Sequence, residues 1–309
     1  MTSAGGTPRL DTIRNARGLT ATVLEPGANL FSVRVPLSGG GTREILPGPA
    51  DPAAWSGREC RLELTGRGGI PVSCGRFRLV SRSARSLTYA LRCPAAEDRP
   101  GAFDLSVIYS VGEDNTLYVR YLGKCAVPCR ARVAHGVYFN LNGRHSSILN
   151  HTLWLDAGYF LPRGADLRPT GELRAAAGGA FDFTVPKTLG QDFMHDAQLR
   201  GCGGYDHFYL IKGDPAAPCA RLEADDHALK LELFTDYPAV RLNSGTRINT
   251  PEHKIRARDD GQIYANQTAL SLEPGFPPDC PPPVPRAALC PPAGPDAPLS
   301  RRVGFRFES

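Results

Sequence analysis

Leu105-Ser-Val-Ile-Tyr-Ser-Val-Gly-Glu-Asp-Asn-Thr-Leu-Tyr-Val-Arg-Tyr121 is the stretch whose pattern decides the architecture. Apolar residues fall at every second position, so Leu105, Val107 and Tyr109 share one face of a strand, and Leu117, Val119 and Tyr121 share one face of the next. Gly112-Glu-Asp-Asn-Thr116 between them has the composition of a hairpin connection. The same alternation recurs in Ala228-Leu-Lys-Leu-Glu-Leu-Phe234 and in Ala239-Val-Arg-Leu-Asn243. Near the start, Leu19–Leu24 and Leu30–Val35 flank Glu25-Pro-Gly27 as another hairpin. No segment keeps a 3.6-residue period for ten residues. The best helical candidates, Pro52-Ala-Ala-Trp55 and Asp192–Leu199, amount to a turn or two. Many short strands with Gly/Pro turns predict an all-β protein, a sandwich or barrel.

The 309 residues include 33 Gly and 28 Pro, which fits frequent turns, and 41% apolar residues, enough for a large core. The net charge of +5 is spread among 36 basic and 31 acidic residues with no basic block, so neither nucleic acid nor a membrane surface is an expected partner. The N-terminus lacks a signal-type apolar segment, and no run is long enough to span a bilayer. Nine scattered cysteines without a CxxC pair read as free thiols in a reducing, cytoplasmic setting, with no metal site. Ten prolines crowd Phe276–Pro298, which bars that segment from a sheet interior. Val303-Gly-Phe-Arg-Phe307 after it reads as a strand. The expectation is therefore one domain over 1–309, with a Pro-rich surface crossing at 276–298.

Polar clusters sit beside the strongest strands. They are His135-Gly136 before Val137–Leu141, Gly204-Tyr-Asp-His207 before Phe208–Ile211, and Glu273 after Ala269–Leu272. Taken singly, each has an ordinary structural reading: a satisfied surface histidine, a turn cap, an edge-strand charge.

Their order along the chain resembles the aldose 1-epimerase (galactose mutarotase) family. The resemblance is carried by Asn15–Pro36 as an opening hairpin, Tyr138-Phe-Asn-Leu141, and Asn150-His151 followed by Tyr159-Phe-Leu-Pro162. It continues through Pro169-Thr-Gly-Glu172, Phe181-Asp-Phe183, Gly204-Tyr-Asp-His207, Leu272-Glu273 with Pro278-Asp279, and Gly304-Phe-Arg-Phe307. The resemblance implies a large two-sheet antiparallel β-sandwich with an open cleft. It implies a hexose as ligand and interconversion of its α and β anomers, with no metal or nucleotide cofactor. A base takes the C1 hydroxyl proton while an acid protonates the ring oxygen, each contributing ~10²–10⁴-fold. By resemblance the base is Glu273, and Asp206 binds sugar hydroxyls.

The chain departs from the family pattern in four places: Gly136, Arg67, the shortened segment before Arg67 that carries Arg61, and Gly275 where the family usually has a glutamine after the glutamate. The position of the family's acid histidine is Gly136, with His135 one residue earlier, and a one-residue shift turns a strand side chain to the other face. A β-bulge at Gly136 would bring His135 back as a displaced acid. Arg67 stands where a second histidine is expected, and Arg61 is the counterpart of a substrate-binding arginine. The resemblance therefore implies an aldose 1-epimerase-like protein whose exchange is weak or lost. The alternative is a non-catalytic carbohydrate-binding or protein-interaction module. A third reading has Arg58, Arg61 and Arg67 holding a sugar phosphate or another anion.

Overall fold

The computed structural model describes residues 8–54, 62–65, 70–71, 77–95, 101–128, 130–134, 136–143, 146–250, 261–277 and 291–309. The hairpin read from 105–121 is a pair of long antiparallel strands, Phe103–Val111 and Thr116–Cys125. All six alternating apolar residues singled out there are buried. Gly112 N–H donates to the Thr116 carbonyl at 2.8 Å and closes the turn. Asn115 takes a left-handed φ of 57°, which asparagine tolerates better than most residues.

These strands belong to a nine-stranded antiparallel sheet. The last strand, Leu299–Glu308, lies between Thr116–Cys125 and Lys230–Thr235. The chain beyond the Pro-rich stretch thus returns to the middle of a sheet, although residues 278–290 of that stretch lie outside the described residues. A second sheet has six strands, in the order Tyr138–Phe139, Leu270–Gly275, Ala239–Asn243, Asp206–Leu210, Tyr159–Leu161 and Arg174–Ala175. The two large sheets share one hydrophobic core, in which the rings of Phe139 and Phe305 meet at 5.2 Å. Two smaller sheets, of four and three strands, complete an architecture that is almost entirely β.

Some boundaries differ from the sequence reading, each for a local reason. The helix expected over Asp192–Leu199 runs instead from Ala197 to Cys202. The Asp196 carboxylate accepts the Gln198 N–H at 2.7 Å and fixes its start. The strand expected at Val137–Leu141 is only Tyr138–Phe139. Asn140 ends it: its Oδ1 accepts the Asn142 N–H at 3.0 Å, and its Nδ2 donates to the carbonyls of Ser146 and Thr268. The expectation of free thiols is corrected at Cys125, which is disulfide-bonded; Cys202 and Cys219 are free. Side chains that are far apart in sequence meet in the fold, and spacing alone does not reveal this.

Candidate functional site

Strand alternation divides the six-stranded sheet into two faces. Phe139, Phe160, His207, Tyr209, Val240, Leu242, Leu270 and Leu272 point into the core. The other face carries Tyr138, Asp206, Arg241, Asn243, Ser271 and Glu273, which the pairing registers place on neighbouring strands. Arg241 stands directly opposite Glu273, and Asp206 stands opposite Asn243, one step diagonal from Arg241. Two carboxylates from different strands are therefore joined through one arginine.

Both oxygens of Asp206 are engaged by guanidinium groups. Arg163 Nη1 donates to Oδ2 at 2.5 Å and Arg241 Nε donates to Oδ1 at 2.7 Å. Arg241 Nη1 lies 3.8 Å from Glu273 Oε2. The side chains are 10% (Arg163), 10% (Asp206), 20% (Arg241) and 12% (Glu273) exposed, so these charges are largely withdrawn from water. Burial would push the Arg241 guanidinium down, but the two carboxylates outweigh it and hold its pKa above the ordinary value. Arg163 goes the other way: burial, aided by the nearby charge of Arg241, lowers it against the pull of Asp206.

The local sequence explains how Asp206 and Arg163 are held. The backbone of Arg163 is gripped by one side chain, because Gln198 Oε1 accepts its N–H at 2.8 Å and Gln198 Nε2 donates to its carbonyl at 3.1 Å. The helix carrying Gln198 ends at Gly203, with φ 72°. Gly204 follows at φ 131°, where an added Cβ would stand 2.6 Å from Ser244 Oγ, so only glycine fits. Tyr205 is buried and donates its hydroxyl to the Ala180 carbonyl at 2.9 Å. His207 faces the core against Phe160 and Phe181. Its Nδ1 accepts the Asp206 N–H at 3.1 Å, so the ring hydrogen sits on Nε2, 3.8 Å from Cys202 Sγ. Burial lowers its pKa to about 3, which keeps the ring neutral. The histidine of this motif is a support beneath Asp206 and faces away from the polar side.

Of the residues expected from sequence, Asp206 and Glu273 come together on this face. His135, Arg58, Arg61 and Arg67 lie outside the described residues. Gly136 is described. Continuing the pairing of Tyr138 with Ser271 by two residues on each strand brings position 136 opposite Glu273. Ala134 fits that register, its Cβ 3.7 Å from where a Cβ on Gly275 would stand. Arg163 and Arg241 were not singled out in the sequence. Arg241 had a signal, since it interrupts an apolar strand on the same parity as Asn243; Arg163 had none. Among the described residues no group of three or more His, Cys, Asp or Glu side chains is placed to hold a metal ion.

This antiparallel sandwich has the galactose mutarotase-like fold. An aldose epimerase homologue from C. elegans superposes with a TM-score of 0.77 at 20% identity, covering 97% of this chain and 99% of that one. Galactose 1-epimerase from Lactobacillus acidophilus NCFM gives 0.76, also at 20% identity and with the same coverage. The family model for aldose 1-epimerase matches residues 9–285. The aldose 1-epimerase of Escherichia coli is 30% identical over 308 residues, 88% of this chain and 87% of that protein. Human galactose mutarotase is 29% identical over 179 residues, 57% of this chain and half of that protein. The chain belongs to the aldose 1-epimerase family.

Proposed function

We propose that the polar face of the six-stranded sheet binds a free aldose, a hexose in the first instance, and that Glu273 is the base that takes the C1 hydroxyl proton. The observation that carries this reading is the placing of Glu273 and Asp206 on one face, on the two strands that flank Ala239–Asn243, tied together through Arg241 of that middle strand. Arg241 Nη1 stands 3.8 Å from Glu273 Oε2, so the proposed base lies within reach of a fixed positive charge. Position 136, opposite Glu273, is a glycine and offers no proton, so exchange runs slowly. Asp206, Arg61 and Arg67 are the proposed substrate-binding residues, and His135 is the only proposed displaced acid. The unbroken core from Ile13 to Phe307 supports reading 1–309 as one domain. No described helix is long and apolar enough to cross a membrane. The proposed location is the cytoplasm. The Cys125 disulfide argues against it, and alkylation of thiols in fresh lysate decides the point.

The test is anomer exchange of galactose and glucose, followed by NMR against a buffer blank. Wild type is expected to exceed the blank modestly and Glu273→Gln to return to it. Gly136→His, which sets an imidazole across from Glu273, is expected to raise exchange by about tenfold or more. Loss of a strong wild-type rate in His135→Ala would instead make the displaced histidine the acid. Sugar binding without exchange in any variant identifies a binding module.

A further inference from the structure

We infer that the aldose this site is built for carries an oxyanion, either a carboxylate or a phosphate; the inference rests on the sugar-binding reading above. The starting point is the count of donors. Each guanidinium has five N–H groups and no acceptor. Asp206 takes one from Arg163 and one from Arg241, and the nearest nitrogen of Arg241 to Glu273 is 3.8 Å away, beyond hydrogen-bond length. Arg163 is nine-tenths buried, yet its Nε has no hydrogen-bond partner. A buried donor without an acceptor is costly to keep. The site therefore holds a surplus of N–H groups, and its Asp206 acceptor is already engaged at both oxygens.

Charge points the same way. Asp206 and Glu273 balance Arg163 and Arg241. Arg247, exposed, is close enough to act through its charge on both Arg163 and Cys202, and it makes no ion pair with a described residue. Among the described residues the cluster thus carries a net positive charge. A sugar hydroxyl both donates and accepts, so it matches a donor-rich, positive site only in part. An oxyanion only accepts, and the planar fork of an arginine suits carboxylate and phosphate oxygens in pairs. Arg163 is also locked in place by Gln198, so little order remains to be gained on binding.

The test is calorimetric titration of the full chain with galactose, galacturonate and galactose 6-phosphate, at low salt and at 0.5 M salt. At least one acidic sugar is expected to bind about tenfold or more tightly than galactose, with a preference that shrinks in high salt. Which of the two binds better tells carboxylate from phosphate. Arg163→Met should reduce the preference about tenfold, and Arg163→Lys should retain part of it. If Arg163→Met fails to fold, the wild-type preference and its salt dependence decide alone. Galactose binding as tightly as both acids overturns this inference and leaves the sugar-binding reading standing. If none of the three sugars binds, both readings fall.

Discussion

Two clusters in this protein have the same composition, a carboxylate between two arginines, and opposite surroundings. On the nine-stranded sheet, Glu232 accepts from Arg221 Nε at 2.8 Å and also pairs with Arg306. Those arginines are 55% and 36% exposed, and their flat faces rest on Trp154 and Phe234. Their remaining N–H groups meet water, and the stacking uses their planar surface. On the six-stranded sheet, Arg163 and Arg241 hold Asp206 at 10% and 20% exposure, with no ring stacked on Arg241 among the described residues and with a buried nitrogen left over on Arg163. The first arrangement fastens a surface. The second keeps unmet hydrogen-bonding capacity in a site, which is what a ligand can use.

The comparison breaks most readily at the carboxylates. Asp206→Ala leaves two largely buried guanidinium groups without their counter-charge and is expected to cost about 3–5 kcal/mol of stability, read from the urea midpoint. A loss under ~1 kcal/mol would mean that these arginines are hydrated after all. Acid separates the clusters next. His207, beneath Asp206, has its pKa lowered by burial to about 3, against an unfolded value of 6.5. The unfolded chain takes up a proton that the folded chain refuses, so stability rises with pH between about 3 and 6.5 and is lost as pH falls through that window. By pH 4 the loss from this one residue is about 3 kcal/mol. Unfolding curves from pH 7 to 4 should show that slope in wild type, and less of it in His207→Gln. His151 adds to it, because burial lowers its pKa to about 4. Glu232 differs: burial opposes ionisation, but its two arginines win and hold it below 4.5, so its share of stability fades only at more acid pH. The smallest effect is expected from Glu232→Ala, about 1 kcal/mol, since exposed arginines rehydrate once their partner is gone. A loss matching that of Asp206→Ala would erase the distinction between the clusters.

The strands of the nine-stranded sheet were legible because period-two alternation is a local signal. Phe103–Val111 and Thr116–Cys125 extend the expected segments by only a few residues at either end. Asp206 and Glu273 were legible through the motifs around them. Arg241 was visible as a polar interruption in Ala239–Asn243, but its meaning depends on which strands lie beside it, and register between distant strands is not written in either one. Arg163 lies outside any named strand and owes its position to Gln198, 35 residues along the chain. The side-chain work of Asn140 likewise cut short a strand that the apolar pattern extended.

The short helix Ala197–Cys202 has a mechanical consequence. Through Gln198 it grips Arg163 on one side, and through Gly203 and Gly204 it leads straight into Asp206 on the other. The Gly204 amide is itself tied to the Leu199 carbonyl at 2.8 Å. Unwinding those few residues would slacken both halves of the ion pair in a single event, like a latch with one pin. The amide hydrogens of Arg163 and Gly204, on separate stretches of chain, should then trade with deuterium in step.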